Sequence, residues 1–476
     1  MFILDHNSPD PLYAQLARQI RERVLSGRLP AGAKLPSVRD LAAELSVSRN
    51  TVENTYLELT AEGYVHARAR SGYFVSALDH EAPPPTAKRK LRGPDAAPGA
   101  DPGAGPPCRY DFHPAKLDPH SFPAPLWRKY YLECLRESSG ELARYGDGQG
   151  ERELRQAVRE YLDRSRGVAC SPEQIVVCSG LQHALGMAAT LVKDTHPRVG
   201  VENPGYFLPR SVLRNNSLEV VPVAVGPGGM DIDALKDSGS RVAYVTPSHQ
   251  FPLGHVMPVG TRLKLIDWAR AGGNVIIEDD YDSELRYQGK PIPSLQGLHP
   301  EGDIIYLGTF SKILSPALRL SYMVLPRSLL ARYHELFRHY QAPASLLEQR
   351  TLARFMAQGH WDRHIRRMRT GCKKKHNALL RAVDAHFGDK AEIIGQGAGL
   401  HVVLRIPGMA LGERELIRRA GVAGIRLFPF SETLDGGGGA EGLLLLGFGS
   451  MAPEEIDRAT RLLAGICLGR DLPDTD

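Results

Sequence analysis

The sequence predicts an α/β protein in two unequal parts: a small unit of helices closed by two short strands, and a large domain around a mostly parallel sheet. Three observations carry this. Residues 1–78 hold apolar positions at helical spacing, followed by an alternating pair of short strands. Residues 79–108 break sharply into proline and glycine. From 109 to 470, short apolar runs alternate with amphipathic stretches of helical period, the pattern of strands and helices laid on one sheet. At 476 residues the chain exceeds one ordinary core, which agrees with a division into domains.

In the first unit Leu12, Leu16, Ile20 and Val24 repeat at helical spacing, and Gly27 ends that helix. Residues 36–45 predict a second, short helix capped by Ser37, with Val47 packing the turn after it. A third helix begins at Ser48, carries Arg49, Asn50 and Thr51 in its first turn, turns Val52, Tyr56 and Leu59 inward, and stops at Gly63. Residues 64–75 then alternate like two strands around a turn, a wing. Two helices joined by a tight turn place the start of the second in the major groove of double-stranded DNA. Serine, arginine, asparagine and threonine at that start are the types that read base edges or bond phosphates, and Arg68 and Arg70 on the wing suit the flanking backbone. A helical dimerisation module with merely solvated polar residues would lack this combination. Asp40, Glu44, Glu53, Glu58 and Glu62 offset the arginines, so the electrostatic footprint is local.

Residues 79–107 carry Pro83-Pro84-Pro85, Pro94, Pro98, Pro102 and Pro106-Pro107 with Gly93, Gly99, Gly103 and Gly105, and almost no large apolar side chains. Such a stretch buries too little to fold, and structureless loops beyond about 12–15 residues are uncommon inside compact domains. It reads as a linker, spanning roughly 30 Å as a random coil. Lys88, Arg89, Lys90 and Arg92 make it a basic tether. Elsewhere composition is ordinary, 42% apolar and 24% charged with a mild net charge of +5, which excludes a fibrous or wholly disordered chain. No apolar run approaches the roughly 20 residues that cross a bilayer, and no secretory start is visible; a cytoplasmic protein without membrane contact is expected. Cys108, Cys134, Cys170, Cys178, Cys372 and Cys467 form no C-x-x-C pair and read as reduced thiols, so no metal site is expected.

In the large domain, buried strands are expected at residues 175–177, 241–245, 275–277 and 304–307. The sharpest constellation follows the last of these: Thr309-Phe310-Ser311-Lys312, then Arg319. A lysine after a buried strand, with hydroxyls just before it and an arginine seven residues on, suits a Schiff base to an aldehyde cofactor whose phosphate the hydroxyls and guanidinium hold. Alone that spacing is ordinary surface chemistry, but it has companions. Residues 276–282 end an apolar strand in a carboxylate cluster, where one carboxylate can pair with a protonated ring nitrogen and Tyr281 can bond a ring hydroxyl. Ser179-Gly180-Leu181-Gln182-His183 lies between strand and helix, where a glycine admits close approach and the helix N-terminus offers free N–H groups to a phosphate. Tyr206, in Asn203-Pro204-Gly205-Tyr206 after another strand, can stack on a flat ring. Each feature singly is an acidic loop, a helix cap or a turn tyrosine. Four in this order, each after a strand, point to one cofactor site.

Residues 11–75, above all "LPSVRDLAAELSVSRNTVENTYLELTAEGYV" followed by "SGYF", resemble the winged helix-turn-helix of the GntR family. The resemblance implies DNA contact by Ser37, Arg39, Ser48, Arg49, Asn50, Thr51, Tyr56, Arg68 and Gly72. From about residue 110 to 468 the chain resembles fold-type I aminotransferases. Within it "TPSHQFPLG" (246–254), "IEDDYDSELRY" (277–287) and "GTFSKILSPALRLSYMVLP" (308–326) are similar to the MocR/GabR regulators. The two resemblances together cover essentially the entire chain. They imply pyridoxal 5'-phosphate as a Schiff base on Lys312, with Asp279 at the pyridine nitrogen and Tyr281 at the ring hydroxyl. Thr309, Ser311 and Arg319 would hold the phosphate beside Gly180, Leu181 and Gln182, with Tyr206 against the ring. They also imply a homodimer with head-to-tail DNA-binding units, in which Tyr145 of "RYGDGQG" reaches the neighbouring subunit's cofactor.

Two departures from working aminotransferases bear on function. Phe251 stands where those enzymes carry an asparagine beside the ring hydroxyl, and Leu445 where they place the arginine that clamps a substrate carboxylate. A bidentate clamp contributes affinity and orientation, so its loss is costly to a substrate. Arg405 and Arg426 remain candidates to replace it. The chain therefore reads as a transcription regulator sensing pyridoxal 5'-phosphate itself, or an amino acid or amine. An effector of that kind shifts DNA affinity only by binding two arrangements unequally. The alternative is an active aminotransferase carrying a DNA-binding appendage.

Overall fold

A computed structural model describes residues 2–5, 8, 10–77, 108–287, 292–436 and 438–470. It divides into two compact units, one up to residue 101 and one from 102 onward. The expected linker, with Lys88, Arg89, Lys90 and Arg92, lies outside the described residues apart from Cys108.

The N-terminal unit runs α1 (Leu12–Leu25), α2 (Val38–Glu44), α3 (Arg49–Ala61), β1 (Val65–Arg68) and β2 (Gly72–Val75), close to the expected order and bounds. Local chemistry sets the helix starts. Ser37 Oγ accepts the Asp40 N–H at 3.1 Å and Ser48 Oγ accepts the Thr51 N–H at 3.1 Å, each satisfying a donor that the first turn leaves orphaned. Leu16, Ile20, Leu41, Val52, Tyr56 and Leu59 are fully buried and form the core. β1 and β2 pair antiparallel with Val65 opposite Val75, both buried, so the wing is stapled to that core at its base. Its tip turns at Arg70, at φ 59°.

The larger unit contains β3 (Tyr110–Asp111), β4 (Ile175–Cys178), β5 (Arg198–Asn203), β6 (Glu219–Gly226), β7 (Gly229–Met230), β8 (Val242–Val245), β9 (Val275–Asp280), β10 (Ile304–Thr309), β11 (Ser321–Val324), β12 (Glu392–Ile394), β13 (His401–Arg405), β14 (Ile425–Arg426) and β15 (Leu443–Gly447). Eight of them form the central sheet in the order β4-β11-β10-β9-β8-β5-β6-β7. β10, β9, β8, β5 and β6 are mutually parallel; β11 runs antiparallel between β10 and β4, and β7 antiparallel at the far edge.

Alternation sends successive side chains to opposite faces. Ile276 packs with Val245, Leu265 and Trp268 on one face, while Ile277 packs with Leu185, Val201 and Leu307 on the other. Burial on both faces is why these strands read as unbroken apolar runs. A smaller antiparallel sheet, β12-β13-β15, packs Val402, Leu404 and Leu446 against Leu379 and Leu463 of the helices His360–Phe387 and Pro453–Leu468. No helix of the described residues is long and apolar enough to cross a membrane.

Candidate cofactor site and nucleic-acid interface

Parallel strands gather their carboxyl ends at one edge of the sheet, where ligands commonly bind in open α/β folds. β9 and β10 run further than their apolar cores, so Glu278, Asp279 and Asp280 lie inside the strand and alternate in direction. Glu278 accepts the N–H groups of Leu295 and Gln296 at 2.8 and 3.0 Å; burial lifts its pKa to about 7, and Asp280 adds to the rise. Asp280 pairs with buried Arg166 at 2.6 Å and accepts from Tyr306. Burial works to raise Asp280, yet Arg166 and Tyr306 hold it below the ordinary carboxylate range. Only Asp279, of these three, faces the cavity. It accepts the Tyr244 hydroxyl, and burial, with Asp280 and Asp282 nearby, pushes its pKa up to about 7.

That cavity encloses about 260 Å³. Leu181, Gln182, Tyr206, Asp279, Tyr281, Thr309, Ser311, Lys312 and Arg319 all line it, from segments more than 130 residues apart at the extremes. Lys312 is presented by a turn whose neighbours Phe310, Ile313 and Leu314 are buried, with the Ile313 carbonyl bonded by His364 Nε2 at 2.7 Å. Its Nζ lies 5.9 Å from the Tyr281 ring centroid. Burial lowers the Lys312 pKa, against the opposing pull of Asp282 and Asp279, which favours the free amine a Schiff base needs.

At the opposite end Gly180 precedes the helix Leu181–Val192, whose first turn has no side-chain cap. Arg319 approaches so closely that a Cβ on residue 180 would lie 2.2 Å from its Nη2, and that nitrogen bonds the Ser179 carbonyl at 3.3 Å. Thr309 Oγ1 accepts the Ser311 N–H at 3.1 Å, and both residues line the cavity with Arg319. Uncapped N–H groups, two hydroxyls and a guanidinium are a donor set for a phosphate dianion. With a buried amine and a buried carboxylate on the same wall, the residues present fit pyridoxal 5'-phosphate.

Phe251 and Leu445 pack together with Val403 and Phe430 in a buried apolar cluster bordered by Tyr206 and Tyr281, so neither position offers a polar atom. Arg405 is exposed and paired with Glu392, and Arg426 lies 3.5 Å from Asp111. Neither arginine lines the cavity. Tyr145 does not line it either, and is 84% exposed. The lining also includes Asp282, from the carboxylate cluster read in the sequence, and Tyr244, Thr246, His113, Phe428 and His401, none singled out from sequence. Tyr244 sits within an apolar run that reads as plain core, and the others carry no spacing signal.

On the N-terminal unit, Ser37, Arg39, Ser48, Arg49, Asn50, Arg68 and Gly72 are exposed, and Thr51 is half-buried with its Oγ1 2.8 Å from Ser48 Oγ. The Arg68 guanidinium lies 4.6 Å over the Phe74 ring. Tyr56 is a correction. The helical period turns it inward; it is fully buried and donates to the Pro36 carbonyl at 2.9 Å, so it braces α3 from behind and cannot touch DNA.

Residues 12–75 match the family of bacterial regulatory proteins described as the gntR family, and residues 116–461 match aminotransferase class I and II. The chain is 35% identical to the probable rhizopine catabolism regulatory protein MocR of Rhizobium meliloti, over 90% of this chain and 89% of that one. It is 30% identical to the pyridoxine biosynthesis transcriptional regulator PdxR of Corynebacterium glutamicum, over 94% of each. Among solved structures it is similar to LysN, an alpha-aminoadipate aminotransferase from Thermus thermophilus. The TM-score there is 0.67 at 27% identity, covering 75% of this chain and 92% of that one.

Proposed function

The chain belongs to the MocR-type transcription regulators, a GntR-family helix-turn-helix joined to an aminotransferase class I and II unit, and from that premise we propose that the larger unit binds pyridoxal 5'-phosphate and that its occupancy sets affinity for operator DNA. One observation carries the reading: the Lys312 amine, the Asp279 carboxylate and Arg319, which packs against Gly180, meet at a single cavity. The N–H groups of Leu181 and Gln182, the hydroxyls of Thr309 and Ser311, and Arg319 bind the phosphate. Tyr206 covers a ring face, Tyr281 addresses the ring hydroxyl, and Asp279 holds a proton for sharing with the ring nitrogen. When bound, the cofactor supplies an aldehyde that condenses with primary amines and a ring that withdraws electrons. Lys312 is the amine it meets first.

The signal is the cofactor itself or an amine that competes with Lys312. The name of one relative ties that protein to pyridoxine biosynthesis, which agrees with the first choice. The apolar cluster at Phe251 and Leu445 withholds the polar groups that steady turnover of amino acids would use. Exposed Arg39, Arg49, Asn50 and Arg68, with Ser37, Ser48, Thr51 and Gly72, form the DNA-reading face. Tyr145 and Tyr340, 84% and 59% exposed, suit a homodimer surface through which Tyr145 reaches the partner's cofactor. Operator binding places the protein in the cytoplasm.

Borohydride treatment of protein incubated with pyridoxal 5'-phosphate, followed by peptide mapping, tests the site. The label is expected on Lys312 and absent from Lys312→Ala, which should still bind DNA. Footprinting upstream of the protein's own gene, with and without cofactor, tests the coupling. Wild-type protein that stays colourless with the cofactor sinks the sensing half of the proposal.

A further inference from the structure

His249 lies behind the cavity wall formed by Tyr281, Asp282 and His401, and is 1% exposed. Its Nδ1 is 2.9 Å from Asp282 Oδ2 and 3.0 Å from the Tyr281 hydroxyl oxygen. Gly399 backs the ring so tightly that a Cβ there would sit 2.1 Å from His249 Cε1. We propose that His249, held by Asp282, is a positioning residue that keeps the Tyr281 hydroxyl as a hydrogen-bond donor into the cavity, where it meets the cofactor's ring oxygen. This rests on the reading that the cavity binds pyridoxal 5'-phosphate.

Proton accounting leads there. A carboxylate oxygen accepts, so a bare Nδ1 facing it at 2.9 Å would set two lone pairs against each other. The carboxylate therefore selects the tautomer with the proton on Nδ1. That tautomer leaves Nε2 as the acceptor, and among the described residues Nε2 has no partner. A protonated Nδ1 cannot take the tyrosine's proton. The Tyr281 oxygen faces it as acceptor, and the single hydroxyl proton stays free to point inward.

The groups around His249 leave this arrangement standing. Asp279, Tyr281 and Asp282 come from β9 and the turn after it, and Lys312 from the turn after β10. His401 on β13 stands with its ring centroid 5.1 Å away, but its Nε2 is taken by the Pro252 carbonyl at 3.0 Å. His255, on the loop of His249, is near enough to interact with it electrostatically. Phe251, the next aromatic on that loop, has no donor to give.

A donor at the ring oxygen draws electron density from the side that faces Lys312, so the cofactor linkage there gives up its proton at lower pH. The readout is the midpoint of the pH-dependent visible absorbance change of cofactor-loaded protein. His249→Phe is expected to move it up by about one pH unit, a ~10-fold change in proton affinity. In a Tyr281→Phe background the same substitution is expected to leave the midpoint where Tyr281→Phe alone puts it, because the effect runs through that hydroxyl. His249→Gln, whose amide can still donate, keeps the wild-type midpoint, and His249→Leu carries the comparison should the phenylalanine variant fail to fold. Equal shifts in both backgrounds, no shift in either, or a glutamine shift as large as phenylalanine's would overturn the inference. A colourless wild-type protein overturns the cofactor reading itself, a separate result.

Discussion

Gly180 and Arg319 interlock: the space a Cβ would fill on residue 180 is taken by the Arg319 guanidinium, 2.2 Å from the ideal Cβ position to Nη2. Gly180 sits at φ 83° and ψ 170°, a region essentially closed to residues with side chains. Arg319 is itself left-handed at φ 52°. Both residues of the proposed phosphate cradle thus hold a positive φ, Arg319 where it ends the turn Pro316–Leu318. Gly180→Ala is expected to cost about 1–3 kcal/mol of stability and to displace the guanidinium. The expected consequence is pyridoxal 5'-phosphate binding weakened by roughly tenfold, about one charge-assisted hydrogen bond. A spectral titration beside a thermal melt checks both; cofactor uptake as tight as wild type would refute the cradle.

Tyr56 and Arg49 lie on α3 with opposite roles, one buried against the Pro36 carbonyl and one exposed in the first turn. Tyr56→Phe removes a single buried hydrogen bond and is expected to cost about 1 kcal/mol of stability in the N-terminal unit. It should leave operator affinity unchanged at temperatures where the unit is folded. Arg49→Ala should do the reverse: an intact melt, weaker binding, and a salt dependence shallower by about one phosphate contact if the guanidinium meets the backbone. Binding measured at several salt concentrations separates the two, and normal operator affinity in Arg49→Ala removes the recognition-helix assignment.

Much of this is legible in the sequence because caps, periods and turn residues act locally. Ser37 and Ser48 announce helix starts that the structure places one residue on, and apolar runs locate β4, β8, β9 and β10. Lys312 stands out because it follows a buried strand within a few residues, Asp279 because it ends the apolar run of β9, and Arg319 because it lies seven residues beyond that lysine. A DNA role for Tyr56 overreaches, since its inward period and contact with DNA exclude one another. Contacts made across the sheet leave no such trace. Glu278, Asp279 and Asp280 are consecutive in the chain, and only packing assigns them to a helix start, a cavity and a buried arginine. His249 and Asp282 are 33 residues apart, and no spacing rule joins them.

The buried carboxylates make a pH prediction for the cofactor-free protein. Glu202, Glu278, Asp279 and Glu284 all have pKa values raised to about 7, with burial the largest cause in each. Unfolded, they ionise near the ordinary value of about 4. Between about 4 and 7 the folded state therefore binds more protons than the unfolded one, and stability falls as pH rises through that window. Asp280, held low, acts oppositely: its contribution is present above the ordinary carboxylate range and lost as pH falls below it. Stability is expected to be highest near pH 4, about the ordinary carboxylate value, and to decline toward pH 7. Asp279→Asn should flatten the decline by up to about 1.4 kcal/mol per pH unit, one proton's worth. Calorimetry across this range decides; an identical slope in the variant would show that Asp279 is not protonated in the fold.

The last prediction concerns what else enters the cavity. Of the arginines and lysines among the described residues, those lining it are Lys312 and Arg319, which the proposed function assigns to the aldehyde and to the phosphate. His113 and His401 also line it, but burial lowers the pKa of each, so neither presents a lasting positive charge near neutral pH. An effector's carboxylate would instead meet Phe251, Phe428 and Leu400, where losing its water without a partner is unfavourable. A primary amine lacking that carboxylate faces no such cost. Benzylamine is therefore expected to alter the visible spectrum and operator affinity of the cofactor-loaded protein at concentrations at least ~10-fold below those phenylalanine needs, the equivalent of about 1.4 kcal/mol. If phenylalanine acts at the lower concentration, a clamp exists after all, and Arg426, drawn from Asp111, becomes the residue to mutate next.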